Sequence, residues 1–309
     1  MAALARPPAV AGSFYPADRG ALAALVDHQL ETARPPDDAV RAVGAGLAGI
    51  LVPHAGLSYS GPVAAAAWKL AGGVRPDVER GAPVGGAVSF AATTIVLLGT
   101  NHSAAWLHGV GIWEAGAWLT PIGPVEVDED LAEQIVALGP PFGVDRDAHL
   151  VEHSLEVQLP FLRRAMPDAR VVPLAVGTGT GDGGIRAGER LGRLIAERRA
   201  SGADIRLAIS TDMAHYPPAA ICARVTDELA PLILALEPAQ LARRESELAR
   251  SGLHGVVCGM CGIQPAVLGL AALRAMGVRG GVRLADATSA DTGGGSDRTV
   301  GYLAAAFPG

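Results

Sequence analysis

The stretch that decides the reading is "LAGILVPHAGLSYSG", Leu47 to Gly61. Leu47 to Val52 is an unbroken apolar run of strand length, and such a run fits a strand buried on both faces. It stops at Pro53, and His54 follows at once, in the small-residue turn Ala55-Gly56. The same pattern occurs twice more. "TTIVLLGTNHSAAW", Thr93 to Trp106, runs apolar into Gly99, Thr100, Asn101 and His102. "DIRLAISTDMAHY", Asp204 to Tyr216, runs apolar into Ser210, Thr211 and Asp212, then His215.

Helical patterns separate these strands. One helix is expected from Asp18 to Thr32, capped by Asp18, with Leu22, Leu25, Val26 and Leu30 on its apolar face. Others are expected over Pro62–Leu70, Asp128–Leu138, Ser154–Ala165, the amphipathic stretch 183–201, Val225–Leu236, Pro238–Arg250 and Ile263–Met276. Further strands are expected over Ala169–Gly177, Val282–Ala287 and Val300–Ala306. Short strands with Gly and Pro turns, in the manner of a hairpin, are expected within His108–Val127. "GGVRPDVERGAPVGG", Gly72–Gly86, has the composition of a surface loop. Strands alternating with helices predict an α/β fold: a single domain over 1–309, with a mainly parallel central sheet flanked by helices. In such sheets ligands bind outside the carboxyl ends of the strands, which is where His54, His102 and His215 fall.

Half of the 309 residues are hydrophobic and 18% are charged, ample for a large core. Net charge is −6, and there is no basic run, so neither nucleic acid nor an anionic membrane is expected as a partner. The start, "MAALARPPAVAGSFYP", has no signal-peptide pattern. Leu253–Met276 reads as a loop leading into a buried helix rather than a membrane span, because Gln264, Pro265 and Arg274 interrupt it. A cytoplasmic protein is expected. Cys222, Cys258 and Cys261 are too few, and odd in number, for a disulfide framework. Cys258 and Cys261 form a lone C-x-x-C, without the second ligand pair of a structural zinc knuckle.

A single strand-end histidine is most often a hydrogen-bonded loop residue. Three of them favour a divalent metal site, for which neutral imidazoles with a thiolate or carboxylate suit iron, copper or zinc. In "DAHLVEHSLEVQLPFL", Asp147–Leu162, the residues His149, His153 and Glu156 would share one face of a helix, with Glu152 beside it. The alternative is a polar helix start capped by Asp147 or Ser154. Asp212 stands three residues before His215, a spacing that lets a carboxylate orient an imidazole, or else opens a short helix. Cys261 opens "CGIQPAVLGLAAL", where a helix dipole stabilises a thiolate; a buried, inert cysteine is the alternative.

Seven motifs together, "AGSFYP", "VPHAGLSYSG", "LLGTNH", "EHSLEVQLPFL", "STDMAHY", "CGIQPAVL" and "VGYLAAAF", run in order from Ala11 to Phe307. The set resembles the Memo family, whose bacterial and archaeal members are called AmmeMemoRadiSam system protein B. The resemblance implies a fold similar to the class III extradiol dioxygenases, which are non-haem iron enzymes. It implies metal ligands at His54, His102 and Cys261, and a catalytic group of His215, Asp212 and His153. Tyr59, Asn101 and Glu156, within the same motifs, are the candidates for holding substrate. Cys261 stands where the dioxygenases use a carboxylate, and a soft thiolate shifts preference toward copper or zinc. The implied activity is a metal-dependent, dioxygenase-like oxidoreductase using iron or copper, with zinc as a further choice. The alternative is a non-enzymatic binder of metal, small molecule or peptide, acting with AMMECR-type and radical-SAM partner proteins.

Overall fold

The computed structural model describes residues 4–73, 92–178 and 181–309. The loop expected over Gly72–Gly86 lies outside the described residues from position 74 onward. The strands are β1 (Ala5–Arg6), β2 (Leu47–Val52), β3 (Thr94–Thr100), β4 (Val110–Ile112), β5 (Ala117–Thr120), β6 (Gly123–Glu126), β7 (Phe142–Val144), β8 (Arg170–Val176), β9 (Ile205–Ser210), β10 (Val282–Thr288) and β11 (Gly301–Pro308). The helices are α1 (Arg19–Thr32), α2 (Asp37–Ala42), α3 (Leu57–Gly73), α4 (Glu129–Ala137), α5 (Leu159–Ala165), α6 (Gly181–Ala200), α7 (Ala219–Leu234), α8 (Pro238–Arg250) and α9 (Ile263–Ala275).

Every residue of β2, β3 and β9 is buried, as continuous apolar runs require. They belong to an eight-stranded sheet of order β10-β11-β2-β9-β3-β8-β4-β7. Its centre, β2-β9-β3-β8, is parallel. Its flanks are mixed: β10 with β11, β11 with β2, and β4 with β8 pair antiparallel, while β7 pairs parallel with β4. Residues 108–127 divide. β4 joins the main sheet, while β5 and β6 form a hairpin that pairs with the N-terminal β1.

Helices α1, α3 and α5 pack on one another in one layer, and α6, α8 and α9 in another, with α7 against α8, β10 and β11. The expected α/β architecture, a central sheet flanked by helices, is present. Three element boundaries differ from expectation. Pro62 lies inside α3, which starts five residues earlier at Leu57. The first turn is held from outside: Leu57 N–H donates to the Phe14 carbonyl (2.8 Å), and the Ser60 hydroxyl donates to the Ala55 carbonyl (2.7 Å). Leu57, Val63, Trp68 and Leu70 of α3 are buried, each contributing roughly 1.5–3 kcal/mol, which outweighs the missing proline N–H. The helix expected over Ser154–Ala165 is a 3-10 turn, Glu156–Gln158, followed by α5. The Ser154 hydroxyl does not cap it but donates to the Thr100 carbonyl (2.8 Å). α7 begins at Ala219, six residues ahead of the expected start. Among the described residues no helix is long and apolar enough to cross a membrane.

Candidate metal centre

β2, β9 and β3 are adjacent and parallel, so their carboxyl ends form one edge, with Val52 opposite Ser210 and Leu98 opposite Ile209. His54 follows β2, His102 follows β3, and Asp212 and His215 follow β9. The fourth participant arrives on α9. Cys261 precedes its N-cap, Gly262, whose N–H donates to Thr211 Oγ1 (2.9 Å). A side chain at Gly262 would collide with Thr211 Cβ at 2.4 Å, so glycine is required for Cys261 to sit this close to the sheet. Cys261 N–H donates to the Asp212 carbonyl (3.2 Å).

One ligand atom each from His54, His102 and Cys261 lies within 4.8 Å of the other two. Cys261 Sγ is 3.1 Å from His54 Nε2. The other ring nitrogens decide the tautomers. His54 Nδ1 faces Ser210 Oγ at 3.1 Å, while that hydroxyl donates its only proton to the Ser154 carbonyl (2.6 Å) and accepts from Gln158 Nε2 (3.0 Å). His54 Nδ1 is therefore the donor, and Nε2 carries a free lone pair. His102 Nδ1 lies 3.0 Å from Glu152 Oε1, so it also donates, and its Nε2 is likewise free.

Glu152 is fully buried. Burial alone would raise its pKa, but hydrogen bonds from the His102 ring and from the Ser154 and His102 backbone N–H groups outweigh it and hold the carboxyl at about 2. His102, Glu152 and His153 also lie within metal-holding distance of one another. The hydrogen bonds Glu152 accepts from both the ring and the backbone of His102 make it an orienting group for His102.

His153 stacks on His102 (ring centroids 4.5 Å apart), stands edge-on to His54 (5.5 Å) and touches Phe14 (4.6 Å). The aromatic turn "AGSFYP" thus reaches the site through Phe14. Burial pushes the His54 imidazole well below its ordinary pKa, with the other histidines adding to it, and burial also lowers His153. Burial lowers His215 to about 4, aided by His102 and His153, and its Nε2 has no hydrogen-bond partner. Asp212 is pushed up to about 7 by burial, against the N–H donations it receives from His54 (2.6 Å) and Ala55 (3.2 Å). Asp212 Oδ2 stands 3.9 Å from His215 Nε2, beyond hydrogen-bond length, so in this structure the carboxylate chiefly fixes the His54 turn. Burial, then the Asp212 charge, pushes the Cys261 thiol well up; a bound cation reverses that preference.

The family model described as "Memo-like protein" matches residues 6–306. The chain belongs to the Memo family. It is 33% identical over 312 residues to a MEMO1 family protein of Saccharolobus solfataricus, covering 98% of this chain and 99% of that protein. It is 34% identical over 303 residues to one of Aquifex aeolicus, covering 98% of each. An uncharacterized protein of Escherichia coli K12 aligns over 68% of this chain and 85% of its own, with TM-score 0.41 and 17% identity.

For this Memo family chain, the sequence-predicted residues divide by position. His54, His102 and Cys261 come together, with His153 stacked on His102. Tyr59 is exposed in the first turn of α3. Asn101 closes its own turn, accepting from Ala104 N–H (2.8 Å) and donating to the Ala104 carbonyl (2.7 Å). Glu156 and His149 do not share a helical face with His153, because the segment is interrupted by turns. Glu156 is fully buried. It pairs with Arg6 (2.5 Å), accepts from the Tyr15 hydroxyl (2.5 Å) and from Ala9 and Val10 N–H (2.8 and 3.0 Å), and ties the N-terminal segment down. His149 sits edge-on to Trp118 and Trp113 and bonds the Gly111 carbonyl (3.0 Å). The orienting roles of Ser210, Glu152 and Gln158 were not legible as such. Only the adjacency of Glu152 to His153 pointed at one of them.

Proposed function

We propose that this Memo family protein binds a divalent ion of iron or copper type, with zinc as the further choice, through His54, His102 and Cys261, and that it works as a metal-dependent, dioxygenase-like oxidoreductase. The observation that carries the reading is three donor atoms within 4.8 Å, with both imidazoles locked in the tautomer that presents a free Nε2. Two imidazoles and a thiol suit these metals, and three protein ligands leave open positions for substrate. Iron or copper bound there supplies the one-electron redox chemistry that reaction with dioxygen needs.

The chain's own groups do the rest. Ser210 and Glu152 aim the two imidazoles, and Asp212 holds the His54 turn. His215, kept neutral by burial and with an unpartnered Nε2, is placed to accept a substrate proton as general base. His153 forms a wall of the site beside Phe14.

A second reading is recognition without turnover, including a partnership with AMMECR-type and radical-SAM proteins. It is favoured by exposed apolar side chains on the loops that carry the site: Trp106, Leu150, Val151, Tyr216 and Val257. Anaerobic purification with elemental analysis, followed by oxygen uptake with each metal and a catechol panel, separates the two. Bound metal with iron- or copper-dependent uptake supports the first reading. Bound metal without uptake supports the second, and a chain that takes up no metal contradicts the first.

A further inference from the structure

We propose that Arg298 binds a carboxylate of the substrate at the mouth of this site, so that the molecule handled is a small carboxylic acid. The proposal rests on the functional reading above and adds the substrate class.

Residues 298–301 are laid along 213–217 by four backbone hydrogen bonds: Met213 to Gly301 (2.8 Å), Gly301 to Ala214 (3.0 Å), Tyr216 to Thr299 (2.7 Å) and Thr299 to Pro217 (2.9 Å). His215 and Val300 pair antiparallel, and opposite residues of such a pair share a face. Thr299, next to Val300, is buried, and Arg298 beyond it lies against the Tyr216 ring.

Tyr216 links the two. It has φ 74, a left-handed conformation uncommon for a bulky residue. The conformation puts its half-exposed ring 5.5 Å from the His215 ring and 4.2 Å from the Arg298 guanidinium carbon. One aromatic side chain therefore holds both the candidate base and a cation.

Among the described residues the cation has no other partner. Like Arg41, Arg170 and several other arginines, Arg298 has neither an ion pair nor a side-chain hydrogen bond among the described residues; what sets it apart is its packing on the ring beside His215. Its neighbour Asp297 instead accepts from the Ser296 hydroxyl (3.3 Å). A guanidinium packed face-on to a ring can still offer its N–H edge, and that edge matches a planar carboxylate through two parallel hydrogen bonds.

The test is calorimetric titration of benzoate, benzamide and phenyl phosphate into chelator-treated wild type, Arg298→Gln and Arg298→Lys. Removing metal first prevents a carboxylate from binding through the metal. Benzoate should bind wild type at least about tenfold tighter than benzamide, Arg298→Gln should lose that margin, and Arg298→Lys should keep part of it. Benzoate that fails to bind, binds no better than benzamide, or binds Arg298→Gln as well as wild type overturns the proposal. Phenyl phosphate binding tighter than benzoate with the same Arg298 dependence overturns the carboxylate assignment in favour of a phosphoryl group. Metal uptake by Arg298→Gln is measured in parallel and should match wild type. Arg298-dependent benzoate binding in a chain that takes up no metal sinks the metal reading alone. Normal metal uptake without Arg298-dependent binding sinks this proposal alone.

Discussion

His54 Nδ1 lies 3.1 Å from Ser210 Oγ, and that hydroxyl has already given its only proton to the Ser154 carbonyl, 2.6 Å away. The buried serine therefore sets which imidazole nitrogen is free, without touching the metal position itself. Ser210→Ala should lower metal affinity by roughly 10–100-fold, the usual effect of removing an outer-shell partner. It should also destabilise the fold by about 1–3 kcal/mol, because Gln158 Nε2 loses an acceptor in a buried setting. Chelator competition and urea unfolding read the two effects separately. Wild-type affinity in Ser210→Ala would mean that tautomer control is not what Ser210 provides.

His215 should act on protons and not on metal. His215→Ala should leave metal affinity nearly unchanged and reduce any turnover by roughly 10²–10⁴-fold. Asp212→Asn should disturb metal binding more than the three-residue spacing to His215 suggests, since the carboxylate accepts from the His54 and Ala55 N–H groups. Equilibrium metal titration of both variants checks the contrast. A His215→Ala protein that holds no metal would make His215 a ligand.

Arg6 and Glu156 are both fully buried and paired. Arg6→Met leaves the Glu156 carboxylate without its cation and should cost about 3–5 kcal/mol in urea unfolding, with metal stoichiometry retained. An unchanged midpoint would show that the pair carries no structural load.

His149 predicts an acid-side loss of stability. Burial lowers its pKa to about 4 from the ordinary 6.5, so the folded chain binds fewer protons than the unfolded chain between those values. The contribution is fully present above pH 6.5 and is lost as pH falls through about 4, by at most about 3 kcal/mol. In His149→Gln the slope of unfolding free energy against pH across this window should flatten. An identical slope in wild type and variant would contradict the assignment.

The strands and their order of polar endings were legible because a strand buried on both faces leaves a continuous apolar run, as in Leu47–Val52 and Thr94–Leu98. The placing of His54 and His102 at one edge follows from parallel neighbours ending together, and Cys261 joins them through the family motif. Ser210 and Glu152 were harder to read, because their roles depend on which lone pairs other residues have already used. The His149–His153–Glu156 spacing suggested a shared helical face. The turns at Asp147–His149 and Glu156–Gln158 instead send His149 toward the tryptophans and Glu156 toward Arg6. Nothing in a local pattern announces a partner, Arg6, that lies 150 residues away.

The central claim is that Cys261, and not Cys258, completes a ligand set with His54 and His102. Cobalt(II) titration followed by near-ultraviolet absorption tests it most directly, because a thiolate bound to cobalt gives an intense charge-transfer band. The account predicts that wild type and Cys258→Ser both develop the band and saturate at about one cobalt per chain. It predicts that Cys261→Ser loses the band and that the double variant His54→Ala, His102→Ala no longer binds cobalt tightly while still unfolding cooperatively. A band that survives in Cys261→Ser, or disappears in Cys258→Ser, would contradict it.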